Sequence, residues 1–140
     1  MKPDLTIDSF SLPGANVWIP VAGNAAPLQG DGMEAQLTGR SGGHVLGFYP
    51  ISAPADLHSD LWEMHPAGDE ILLMFSGALT VEYSDGIHHG AASLEAGRGL
   101  VIPGGLWHRL VLREPGLLSA LTPRQGTRMS ETPGARGPGS

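Results

Sequence analysis

Cysteine is absent from the 140-residue chain. That excludes a disulfide scaffold, thiolate-bound zinc, iron–sulfur clusters and a cysteine nucleophile, so any metal must be held by nitrogen and oxygen. Lysine occurs once, at Lys2, within a formal net charge of −6. No basic patch exists to neutralise a phosphate backbone, and nucleic acid is not an expected partner. Aromatic residues are only 6% of the chain. No apolar run approaches the roughly 20 residues of a membrane span, and the start (Met1-Lys2-Pro3-Asp4) lacks the apolar stretch of a signal peptide. The expectation is a cytoplasmic protein with no membrane partner.

Glycine and proline are abundant, at 21 and 12 residues, about twice ordinary usage. With no collagen-like period, this excess implies many tight turns between short strands and argues against long helices. Strands are expected at residues 16–21, 34–38 and 44–51, with a short run at 61–65. Glu70 to Ser76 reads as a buried strand continued by Ala78 to Tyr83, up to a hairpin tip at Ser84-Asp85-Gly86. Further strands are expected at 100–102 and 107–113, with Pro115-Gly116 closing a hairpin onto 117–121. Eight to ten short strands with turn signals every 8–12 residues describe an all-β sandwich or small barrel. From Pro123 to Ser140 almost no apolar residue remains. We therefore expect one domain over 1–122 and a flexible Gly/Pro/Arg-rich tail over 123–140 that the core can spare.

The titratable residues cluster. Residues 58–70 hold two histidines, His58 and His65, and four carboxylates, Asp60, Glu63, Asp69 and Glu70. In a strand, side chains two apart share a face, so Glu63 and His65 point together while Trp62 and Met64 point away. The turn Pro66-Ala67-Gly68-Asp69 can bring Glu70 back beside His65. Imidazole and two carboxylates converging from adjacent strands suit a metal; a solvated acidic hairpin is the plain alternative. Farther on, His108 shares strand parity with Leu110 and Leu112, which puts it on the apolar inner face, where an unpaired imidazole is costly. A lone inward histidine is usually a hydrogen-bonded core residue; a second one with carboxylates elsewhere tips the reading toward a ligand. By the same parity Leu72 and Met74 face the cavity, and Ile71, Leu73 and Phe75 face outward and call for cover. His88, His89 and His44 read as exposed or structural, and His58 lies outside the cluster's spacing.

Two spaced motifs carry a family resemblance. Glu63-x-His65, four residues, Glu70, six residues and Gly77 follow the first cupin motif, and Gly97, Pro103, Gly105 and His108 follow the second. The chain resembles a small single-domain cupin, whose fold is an antiparallel double-stranded β-helix, or jelly-roll barrel, with minimal helix. The motifs span about residues 57–77 and 97–112. Three positions depart from the pattern: Glu63 replaces the first histidine, Leu57 the opening glycine and Leu112 the closing asparagine. The resemblance implies His65, Glu70 and His108 as metal ligands, with Glu63 as a fourth ligand or a catalytic base. It implies one divalent transition metal (Fe, Mn, Ni or Zn), a small-molecule substrate and a homodimer. A mononuclear-metal oxygenase of dioxygenase type is the leading reading. A non-redox lyase or isomerase, or a non-catalytic binding or sensor module, are the alternatives, because one fold hosts all three.

Overall fold

The computed structural model describes residues 7–29 and 32–137. They form an antiparallel β-structure of strands β1 (Asn16–Ile19), β2 (Ala26–Pro27), β3 (His44–Ile51), β4 (Trp62–Met64), β5 (Glu70–Ser84), β6 (His89–Glu95), β7 (Gly99–Ile102), β8 (Trp107–Pro123) and β9 (Arg128–Ser130). Among the described residues helix is confined to Met33–Gln36 (α1) and a single 3₁₀ turn at Pro54–Leu57. The all-β expectation from turn density therefore holds.

The long strands β5 and β8 pair with each other and make the spine, from Ile71 opposite Leu121 to Ser84 opposite Trp107. The free edge of β5 is taken by β7 near its start and by β6 near its end. On its other edge β8 pairs with β3 over Gly116–Pro123 and with β4 at His108. This sharing of two long strands lets a few short ones wrap into a barrel. Alternation along β5 buries Leu72, Met74, Leu79 and Val81 and leaves Ile71, Leu73 and Phe75 exposed. The buried set joins Ile51, Leu94, Ile102, Leu118 and Ala120 in the main core. Trp62, Met64 and Trp107 form a separate cluster behind the site.

Three expectations fail, each for a physical reason. Pro115-Gly116 does not close a hairpin: β8 runs straight through it as one strand. Register shifts relative to β5 fall between Met74 and Leu79, opposite this pair, and Gly77 there has φ 79°. A Cβ at Gly116 would strike the Ser76 carbonyl, so proline and glycine here mark a bulge and close backbone approach. Residues 34–38, expected as a strand, contain the end of α1. Gly32 at φ 84° and Gly39 at φ 81° bracket a run of good helix formers, and the Gln36 amide clamps the Gln29 backbone from both sides at 3.1 and 2.8 Å. The third failure is the loose tail. Among the described residues, 124–137 lie against the barrel: Met129 pairs with Glu63 in β4, Trp107 Nε1 donates to the Ala135 carbonyl at 3.0 Å, and Gly137 N donates to Gly105 O at 2.8 Å. Backbone groups make these contacts, so poverty in apolar side chains did not forbid them.

Candidate metal centre

Four side chains from three places meet at one point inside the barrel. Glu63 lies on β4, His65 follows that strand directly, Glu70 opens β5, and His108 is the second residue of β8, opposite Glu63. One ligand atom from each lies within 4.8 Å of the others. His65 Nε2 is 2.8 Å from Glu63 Oε1 and 3.4 Å from Glu70 Oε2, and His108 Nε2 is 3.1 Å from Glu70 Oε1.

The local sequence builds this meeting. The 66–69 turn reverses the chain, and Asp69 Oδ1 accepts a hydrogen bond from Gly104 N at 2.8 Å. Gly105 N donates to the His65 carbonyl at 2.9 Å, so the turn that precedes His108 is fastened to the one that follows His65. Gly105 sits at φ 81°, a conformation that explains its glycine. The two motifs are thus joined through backbone as well as through their ligands.

His65, Glu70 and His108 are buried, whereas the Glu63 side chain is 33% exposed. Each imidazole is oriented from its other nitrogen: Thr127 Oγ1 lies 2.8 Å from His65 Nδ1, and the Leu106 carbonyl 3.2 Å from His108 Nδ1. Thr122 Oγ1 donates to Glu70 Oε2 at 2.6 Å. His65 Nε2 is close to Glu63 yet has no hydrogen bond of acceptable direction. A buried nitrogen left without a partner beside three more donor groups is what a metal ligand looks like before its ion.

Burial opposes a charge on His65, but its contacts with Glu63 and Glu70 outweigh that penalty and lift it to about 9. Burial likewise opposes the Glu70 carboxylate, and contacts with His108 and His65 reverse the balance and hold it well below the usual range. The cluster is therefore a set of mutually compensating charges that a cation can replace.

Above the four residues opens a cavity of about 640 Å³, walled by Ile51, Leu57, Leu61, Leu72, Leu110 and Leu118 among others. Tyr49 also lines it, its hydroxyl donating to Asn16 Oδ1 at 3.2 Å. Gly47 leaves room for the Tyr49 ring, which a Cβ there would strike. His58, outside the motif spacing, lies on the cavity wall at φ 50°, the left-handed exit of the 3₁₀ turn. His88 is exposed, contacts Asp85 and is not one of the four clustered residues. Sequence reasoning missed Thr122, Thr127 and Tyr49. Parity with His108-side cavity residues could have flagged Thr122, but Thr127 lies in the segment expected to be loose.

An antiparallel barrel whose two motifs meet at one donor cluster decides the architecture. It is a cupin fold. No protein-family model and no curated protein matches the chain. Among solved structures, it is similar to a cupin-2 domain containing protein from Shewanella frigidimarina, 22% identical over 58% of this chain and 71% of that one, with a TM-score of 0.45. A TDP-quinovose 3,4-ketoisomerase from Campylobacter jejuni is 19% identical over 54% of this chain and 58% of its own, at a TM-score of 0.47. A hydroquinone 1,2-dioxygenase in complex with Cd2+ and 4-hydroxybenzonitrile is 15% identical over 59% of each chain, also at 0.47. The match spans less than two thirds of the ketoisomerase and of the dioxygenase.

Proposed function

We propose that this protein is a mononuclear-metal enzyme, an oxygenase of dioxygenase type acting on a small organic molecule held in the cavity. The observation that carries the metal reading is the buried His65 Nε2, which makes no well-directed hydrogen bond, among three further donor groups. His65, Glu70 and His108 would hold the ion, with Glu63 as the fourth ligand or the base. Two nitrogens and two carboxylates suit Fe(II), Mn(II), Ni(II) or Zn(II). Such an ion, when bound, supplies Lewis acidity and, if redox-active, an electron for oxygen chemistry.

The chain's own residues do the rest. Thr127 and the Leu106 carbonyl fix the two rings so that each presents Nε2 inward. Thr122 holds one Glu70 oxygen, which limits that carboxylate's freedom to rotate. Glu63 is the one member of the four with substantial solvent access, so it can take a proton from a substrate hydroxyl and pass it outward. The leucines of the wall exclude water from the reacting face, and the volume suits a molecule of modest size. For assembly we propose a homodimer through the outer face of β5, where Leu73 and Phe75 are 43% and 52% exposed.

Metal analysis of the purified protein, paired with oxygen uptake across diketones, catechols and thiols, tests the reading. A redox-active metal with oxygen consumption on one substrate class supports it. Zinc with no uptake on any of them overturns the oxygenase and leaves a lyase, an isomerase or a binding module.

A further inference from the structure

The cavity wall carries four carboxylates, Glu34, Asp56, Glu63 and Glu70, and two guanidinium groups. Arg109 is engaged: its Nη2 bonds Glu82 at 2.6 Å and its guanidinium stacks on Trp62, 4.8 Å from the ring centroid. Arg124 is held differently. Its backbone N–H bonds Gly43 O at 3.3 Å, which carries the β3–β8 ladder one residue past Pro123. Thr122 and Arg124 therefore share the cavity face, about 7 Å apart along the strand, and Thr122 is the residue whose hydroxyl touches Glu70. The guanidinium is thus placed on the same wall as the donor cluster and one strand repeat away from it.

Its partner is weak. Arg124 Nη2 meets Glu34 Oε2 at 2.6 Å, but the Glu34 side chain is 74% exposed and belongs to the four-residue helix α1. Exposed pairs of this kind contribute little and exchange readily with competing anions. A guanidinium offers five donors in a planar fork matched to a carboxylate, and among the described residues only one of its nitrogens is used here. Tyr49 lines the same cavity as Arg124 and the donor cluster. Burial, reinforced by Glu70 and Glu63 and opposed by Arg124, pushes its hydroxyl up to about 12, so it stays a donor.

We propose that Arg124 anchors the substrate: the ligand is a small molecule with a carboxylate that displaces Glu34 from Arg124, and with an oxygen-chelating group directed at Glu63, His65, Glu70 and His108. This rests on the metal reading of that cluster. Glu34 is then a built-in competitor that occupies the guanidinium until a carboxylate arrives.

Two chelators that differ by one carboxylate test it. The protein is loaded with Co(II), and catechol and 3,4-dihydroxybenzoate are titrated separately while the cobalt ligand-field spectrum is followed. The expected result is binding of the carboxylated chelator about 10-fold or more tightly than catechol, the size of effect a charge-assisted fork supplies. In Arg124→Gln the preference falls to about 1 with catechol affinity unchanged. In Glu34→Gln, which leaves Arg124 in place, the preference grows. Equal affinities in the wild-type protein, an Arg124→Gln variant that keeps the preference, or bound cobalt that responds to neither chelator overturns the Arg124 assignment while leaving the metal site standing. Cobalt that does not bind at all overturns the site and this inference together.

Discussion

The 63–70 hairpin and the 124–137 segment act on the same histidine by opposite means. The hairpin supplies His65 itself with Glu63 and Glu70, by strand parity and a four-residue turn. The C-terminal segment supplies Thr127 to the far side of that ring and backbone to the edge of β4. One contribution is written in side-chain spacing; the other is written mainly in backbone hydrogen bonds, with the single hydroxyl of Thr127 reaching the ring. A segment with few apolar residues thus still holds the site together.

Removing the segment breaks that comparison most sharply. Truncation after Gln125 deletes β9, the Trp107–Ala135 bond and Thr127 together. We expect a loss on the order of 3 kcal/mol, roughly 10 °C in melting temperature by calorimetry. An unchanged melting temperature would return the segment to the status of a passive tail. Next in size come the ligands. His65→Ala and His108→Ala should each abolish stable metal binding, whereas His88→Ala, at an exposed turn, should not. Equilibrium dialysis separates these outcomes.

Thr127→Val sharpens the same contrast on a smaller scale. It keeps β9 but frees His65 Nδ1, and should weaken metal affinity about 10- to 100-fold, with Thr127→Ser restoring it. Wild-type affinity in the valine variant would show that the hairpin alone orients the ring.

The smallest effect is on pH dependence of the metal-free protein. His65 is raised from 6.5 to about 9, so its contribution to stability is complete below pH 6.5 and is lost as pH climbs through 9. Glu70 is lowered from 4.5, so its contribution is present above that pH and is lost on acidification. Melting temperature in the presence of a chelator should therefore be highest between about pH 4.5 and 6.5 and fall toward pH 9. A flat profile across 6.5 to 9 would mean that His65 is not held by its carboxylates.

How much of this was legible in the sequence follows the same division. β3 was readable to the residue, because His44 to Ile51 is bounded by a glycine pair and by breakers. The inward and outward faces of β5 were readable because a two-residue period has only two solutions. Pro115-Gly116 misled because a bulge and a turn demand the same residue types, and only the partner strand distinguishes them. Helix α1 misled because an apolar residue at Met33, Ala35 and Leu37 alternates like a strand, while the flanking glycines set the backbone. At the site, Glu63, His65, Glu70 and His108 were named from strand parity together with the resemblance to the two cupin motifs. Thr127 and Arg124 were not, since their roles arise where the chain folds back after β8 and no local pattern encodes that return.

The account's central claim is that those four residues bind one metal ion. Elemental analysis of metal per chain, after exposure to Fe(II), Mn(II), Ni(II) and Zn(II) and removal of excess, tests it most directly. The account predicts one equivalent of a transition metal in the wild-type protein and none in the His65→Ala/His108→Ala double variant. Full occupancy in the double variant, or none in the folded wild-type protein, would contradict it.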